Sequence, residues 1–171
     1  MGRVRNTVRH LTEHLRQASA RWPRVASQLF AACSVSNDSI NFGSYNPLTV
    51  PGKFISSDVL ATATIAVKCI TDKNKTIDYT VKLSGGSSNS VGARSMHGSA
   101  RGDNMKYNLY TDFNRTIVWG SDAGASTLGG SYIDGKGTST NVIYGRIPGG
   151  QSSIYAGTYS DALVITLQYQ P

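Results

Sequence analysis

In the stretch Ile77-Asp78-Tyr79-Thr80-Val81-Lys82-Leu83 apolar and polar residues alternate without a break. Side chains change face at every step only in an extended chain, so this segment has to be a strand with one buried face. The same period of two governs most of the chain from Val25 onward. Residues 61–70 predict a second strand with Ile65, Val67 and Cys69 inward. Further strands are predicted over 25–36, 105–111, 117–119, 142–147 and 159–169. The polar run Asp72-Lys73-Asn74-Lys75 predicts a hairpin turn. Residues 84–104 and the Gly/Ser/Thr-rich stretch 120–140 read as surface loops. Seven or so short strands at this spacing predict an all-β sandwich.

Residues 1–20 break the pattern. Val4, Val8, Leu11 and Leu15 recur at helical spacing, and Pro23 closes that segment. Residues 1–22 therefore read as a basic extension outside the fold, and residues 23–171 as the domain. No apolar run near the start is long enough for a signal peptide, and no segment has the length of a membrane span.

The charge follows the same division. The chain carries +7, yet residues 1–30 hold six arginines and one acid, a net +5, while the rest nets only +2. A phosphate-binding face would need that charge on the domain itself, which argues against nucleic acid as a partner.

Motifs for catalysis are lacking. His10 and His14 share a helical face but have no third ligand nearby, so no metal site is expected. His97 sits among many serines without a nucleophile elbow. The Asp residues fall mostly beside turn residues, where Asp serves the backbone. No glycine loop has the spacing that cradles phosphate. The reading is not an enzyme, with no cofactor. Arg101-Gly102-Asp103 matches an adhesion tripeptide and reads as ordinary turn chemistry. Cys33 and Cys69 are either two buried thiols or one disulfide in an oxidising compartment.

Three stretches, in order, carry a resemblance. They are Cys33-Ser34-Val35-Ser36 with Asn41-Phe42-Gly43-Ser44-Tyr45-Asn46-Pro47-Leu48; Tyr107-Asn108-Leu109-Tyr110-Thr111-Asp112 with Trp119-Gly120; and Tyr144-Gly145-Arg146-Ile147-Pro148 with Gln151 and Gly157-Thr158-Tyr159-Ser160-Asp161. Together they resemble the spore coat protein U domain, shared with archaic, Csu-type chaperone–usher pilins, from about residue 23 to the C-terminus.

The resemblance implies an incomplete immunoglobulin-like β-sandwich lacking its last strand. It implies secretion through the periplasm to a fimbrium on the cell surface, and a role in adhesion and biofilm formation. The partners it implies are a periplasmic pilus chaperone, an outer-membrane usher and neighbouring pilin subunits. Cys33 and Cys69 match the family's disulfide positions, and Val25, Ser27, Leu29 and Ala31 match its donor strand. The acceptor groove would be edged by the last strand, through Tyr159, Leu163, Ile165, Leu167 and Tyr169. That strand ends the sequence, so its outer edge is expected to lack a covalent neighbour. Pro23 and the absent signal peptide depart from the family pattern. A second class of function also fits the composition: a secreted β-sandwich that coats a surface or binds carbohydrate without polymerising.

Overall fold

In the computed structural model, residues 31–47, 57–121 and 126–170 are described. The longest strands are those with the cleanest alternation. β1 (Ala31–Asn37), β2 (Val59–Thr71) and β3 (Thr76–Leu83) come first. β4 (Ser95–Gly98), β5 (Asn104–Lys106) and β6 (Asn108–Tyr110) are short. β7 (Leu128–Ile133), β8 (Lys136–Ile147), β9 (Tyr159–Ser160) and β10 (Ile165–Gln170) complete the fold. All pairings are antiparallel. They form one sheet in the order β1-β2-β8-β6, a second in the order β10-β3-β7, and a small third in the order β5-β4-β9.

The first two sheets make the immunoglobulin-like sandwich expected of the sequence. Ile65, Val67 and Cys69 of β2 and Ile143 of β8 meet Ile77, Tyr79, Val81 and Leu83 of β3. Val67, Cys69, Ile77 and Val81 have no accessible surface left. Each such side chain contributes about 1.5–3 kcal/mol by leaving water. Trp119 is buried with them, and its indole N–H donates to the Val81 carbonyl (3.1 Å).

Several expected elements change on inspection, for one physical reason. Alternation reports an extended backbone, not which strand lies alongside. The turn at 72–75 is not a hairpin, because β2 and β3 belong to different sheets. It is a corner, interlocked with the β7–β8 corner. Thr71 N donates to Gly135 O (2.7 Å), Asn74 N to the Asp134 carboxylate (2.8 Å) and Asp134 N to Lys75 O (3.0 Å). The strand expected over 105–111 is two strands, β5 and β6, which pair with β4 and β8 respectively. The last strand expected over 159–169 is likewise two: β9 pairs with β4, and β10 pairs with β3.

The two expected loops hold β4 and β7. Glycine in β7 conceals a strand because it serves packing. A Cβ on Gly130 would lie 2.6 Å from the Tyr79 hydroxyl. Gly145 plays the same part in β8, where a Cβ would lie 2.7 Å from the Phe42 ring. That gap seats the irregular segment 38–46 on the sandwich.

The most heavily bonded core group is a cation. Arg94 is completely buried, between the sandwich and the small sheet. Its guanidinium donates to Ser84 O (3.0 and 2.7 Å), Trp119 O (2.8 Å) and Asn108 Oδ1 (2.7 Å). Burial pulls its pKa down from the usual arginine value, while Tyr107 and Asp161 nearby pull it back up. The planar fork suits this task, since it satisfies three chain segments at once. Arg94→Met removes the donors to the Ser84 and Trp119 carbonyls, and leaves Asn108 Oδ1 with Leu109 N alone. We predict a loss of about 3 kcal/mol or more, read from the urea unfolding midpoint, with no such loss for Arg101→Met at the surface.

Candidate functional site

Two edge strands stand side by side without pairing. Among the described residues, β1 is hydrogen-bonded only to β2, and β10 only to β3. They come within contact distance of one another, yet share no ladder. Each therefore turns one row of backbone N–H and C=O groups toward the gap. Such an edge is a template for another strand.

The gap leads into the core. A cavity of about 270 Å³ opens between the C-terminal end of β1 and the start of β10. It reaches Ile65, Leu83, Leu109, Trp119 and Ile143, the same residues that fill the sandwich. Leu163 and Ile165 line it from the β10 side, and Asp38 and Ile40 from the β1 side. The apolar side chains along β10 stay partly uncovered. Leu163, Ile165 and Leu167 are half-buried against the core, and Tyr169 is 41% exposed. Their neighbours Val81 and Leu83 across the ladder are buried. An apolar row in this state gains free energy from any strand that covers it.

The walls are fixed covalently and by hydrogen bonds. Cys33 of β1 and Cys69 of β2 sit directly opposite in the ladder and are joined by a disulfide. The bridge ties the groove-edge strand to a fully buried residue of β2. Thr64 Oγ1 donates to the Asp38 carboxylate, and Asp38 N to Thr64 O (3.0 Å), just beyond β1. Opposite, Ser84 and Val164 hold the chain at the entry to β10: Ser84 N donates to Val164 O (3.0 Å) and Val164 N to Ser84 Oγ (2.9 Å). Asp161 accepts from Tyr107 Oη (2.7 Å) and Ser87 N (2.9 Å). Burial and this bond to Asp161 push the Tyr107 hydroxyl far above the usual tyrosine pKa, so it remains a donor.

The expected groove residues separate accordingly. Leu163, Ile165, Leu167 and Tyr169 share the open side. Tyr159 does not: it lies in β9, where its hydroxyl donates to the Asp103 carboxylate. The chain changes partner between β9 and β10 because Asp161 and Val164 are held by the 84–87 corner. Ala31 is the first residue of β1 and pairs with Thr71. Val25, Ser27 and Leu29, and the whole of residues 1–22, lie outside the described residues. Asp103 of the Arg-Gly-Asp tripeptide turns inward, taking bonds from Tyr159 and from Tyr155 N (2.8 Å). The Arg94 hub was not foreseen. An arginine in a Gly/Ser-rich stretch carries no sign of burial, and only the order of neighbouring strands reveals it.

The all-β architecture agrees with comparisons to known proteins. The model of the spore coat protein U domain matches residues 21–166. The chain belongs to that family. It is 31% identical over 145 residues to Protein U of Myxococcus xanthus, covering 81% of this chain and 78% of that protein. Among solved structures it resembles a chain of the CsuC–CsuE chaperone–tip adhesion subunit pre-assembly complex, from archaic chaperone–usher Csu pili of Acinetobacter baumannii. That match has a TM-score of 0.50 at 18% identity and covers 81% of this chain. The protein spans 40% of the length of that chain, and the likeness is one of fold.

Removing the bridge tests how firmly the groove wall is held. The crosslink spans a sequence separation of 36 residues. A Cys33→Ala/Cys69→Ala double variant is predicted to lose about 4 kcal/mol of stability by the chain-entropy estimate, measured by denaturant melts against the oxidised protein.

Proposed function

We propose that this spore coat protein U domain is a structural subunit of a secreted bacterial surface fibre, built by donor-strand exchange. The observation that carries the reading is the cleft between β1 and β10, with an unpaired strand on either side and the sandwich core at its base. An inserted strand gains backbone bonds on both sides and buries alternate side chains in the groove.

Val25, Ser27 and Leu29 have the alternation such a strand needs. They immediately precede β1, which Ala31 begins within the subunit's own sheet. The segment preceding one subunit's fold would thus fill the groove of the next. That contact is heterologous, so it extends into a fibre and does not close a dimer.

Before assembly the exposed apolar row needs cover, the part of a periplasmic pilus chaperone. An outer-membrane usher would be where one strand replaces another. Adhesion and biofilm formation are the roles this reading gives the finished fibre at the cell surface. The reading assigns the domain no catalytic step.

Supplying the strand in cis tests this directly. A copy of residues 21–32 fused after Pro171 through a flexible linker should give a monomer. It should be more stable than the unfused chain, by on the order of 5 kcal/mol for three covered apolar side chains. Val25→Asp and Leu29→Asp within the fused copy should abolish the gain, since they place unpaired charge in an apolar groove. A stable unfused monomer that the fusion leaves unchanged, by size-exclusion chromatography and denaturant melts, would overturn the proposal in favour of a non-polymerising coat protein.

A further inference from the structure

A second cavity, of about 1010 Å³, lies between the irregular segment 39–47 and the small β5-β4-β9 sheet. Its lining divides into three chemical kinds. Ile40, Met96, Met105, Ile147 and Ile154 are aliphatic or thioether. Phe42, Tyr45, Tyr155 and Tyr159 are aromatic. Ser39, Asn41, Ser44, Asn46 and Thr158 bring hydroxyls and amides. Of the described residues that line it, none is Asp, Glu, Lys, Arg or His, although the chain carries a net +7.

Tyr45 and Tyr159 are held in place by their hydroxyls, and Phe42 and Tyr155 by contacts of their rings. The Tyr45 hydroxyl donates to Pro148 O (3.3 Å) and accepts from Gln151 N (3.1 Å). The Tyr159 hydroxyl donates to the Asp103 carboxylate and accepts from Tyr155 N (3.0 Å). That bond from Tyr159 is the main cause of the depressed Asp103 pKa, so the carboxylate stays ionised and keeps its grip. Phe42 packs edge-on against Tyr107, with ring centroids 6.0 Å apart. The Tyr155 ring is 53% exposed, and the Arg101 guanidinium stacks over it at 4.4 Å. Immobile aromatic rings lower the ordering cost of binding.

We propose that this cavity binds a neutral oligosaccharide. A cleft of this size, with apolar walls and a few placed polar groups, has the makeup of a small-ligand site. The nearest charges are engaged behind or beside the rings, Asp103 by Tyr159 and Tyr155 N and Arg101 by the Tyr155 face. Among the described residues, no charged side chain lines the cavity itself to compensate an anionic or cationic ligand. A purely apolar ligand would strip water from the amides and hydroxyls for no return. A sugar ring offers C–H faces to aromatic rings and hydroxyls to amide groups, which meets both halves of the lining. The site adjoins the β1–β10 groove, since Ser39 and Ile40 line both cavities, but its aromatic residues Tyr45, Tyr155 and Tyr159 belong to this cavity alone.

The test is titration of the full chain with cellotetraose, chitotetraose, galactotetraose and tetragalacturonic acid, followed by calorimetry and saturation-transfer NMR. At least one neutral tetrasaccharide should bind in the millimolar range or tighter. Tyr155→Ala, shown to be folded by its unchanged melting temperature, should weaken it by at least about fivefold. Phe113→Ala, at an exposed residue outside the cavity, should leave it unchanged. Absence of binding by all three neutral sugars would overturn the proposal. So would tighter binding of the uronic acid, or equal loss in both variants.

Discussion

A strand satisfies its backbone only when both of its edges find partners or water, and an apolar face is stable only when something covers it. The space between β1 and β10 meets neither condition from within the described chain. Other parts of the sandwich are arranged around that gap. The strands next to its walls, β2 and β3, carry the most completely buried side chains of the protein. The gap is thus framed by well-packed strands, and in the proposed function such a frame would take a strand without first paying to order itself.

Two devices keep the frame rigid. The Cys33–Cys69 bridge fixes β1 to β2. Arg94 fixes the opposite corner by gathering carbonyls from the end of β3 and from Trp119, together with the Asn108 amide. A buried arginine is costly unless every donor is matched, and here the match is made by chain segments far apart in sequence. The same corner carries Asp161, which directs the chain from the small sheet into β10. Groove, hub and small sheet are therefore one mechanical unit.

The sequence reading succeeded where burial on one face imposes a period of two. β2, β3 and the second half of β8 follow from their alternating Ile, Val, Leu and Tyr, and the face of Cys69 follows with them, whereas Lys136 to Thr140 of β8 reads as loop because Gly, Ser and Thr fill it. It failed where partner choice mattered. Residues 105–110 and 159–169 alternate smoothly, but the chain leaves one sheet for another at Tyr107 and again at Asp161 to Val164. Nothing in a two-residue period marks that change. β7 is hidden because Gly129 and Gly130 weaken the pattern, Gly130 to make room for the Tyr79 ring. Arg94 was hidden because its partners are backbone carbonyls, which every residue possesses. Leu163, Ile165, Leu167 and Tyr169 are legible as one row, whereas Tyr159 shares their spacing but not their sheet.

The central claim is that the outward edges of β1 and β10 are open in the lone subunit and closed by an added strand. Residue-resolved hydrogen exchange measures this directly. In the chain alone, the β10 amides not bonded to β3 should exchange rapidly, while those of β2 and β3 stay protected. Adding a peptide of residues 21–32 should slow the β10 amides, and those on the free edge of β1, by at least about a hundredfold, the protection expected for newly made ladder bonds. Edge amides already as protected as β3 in the lone chain, and indifferent to the peptide, would contradict the account.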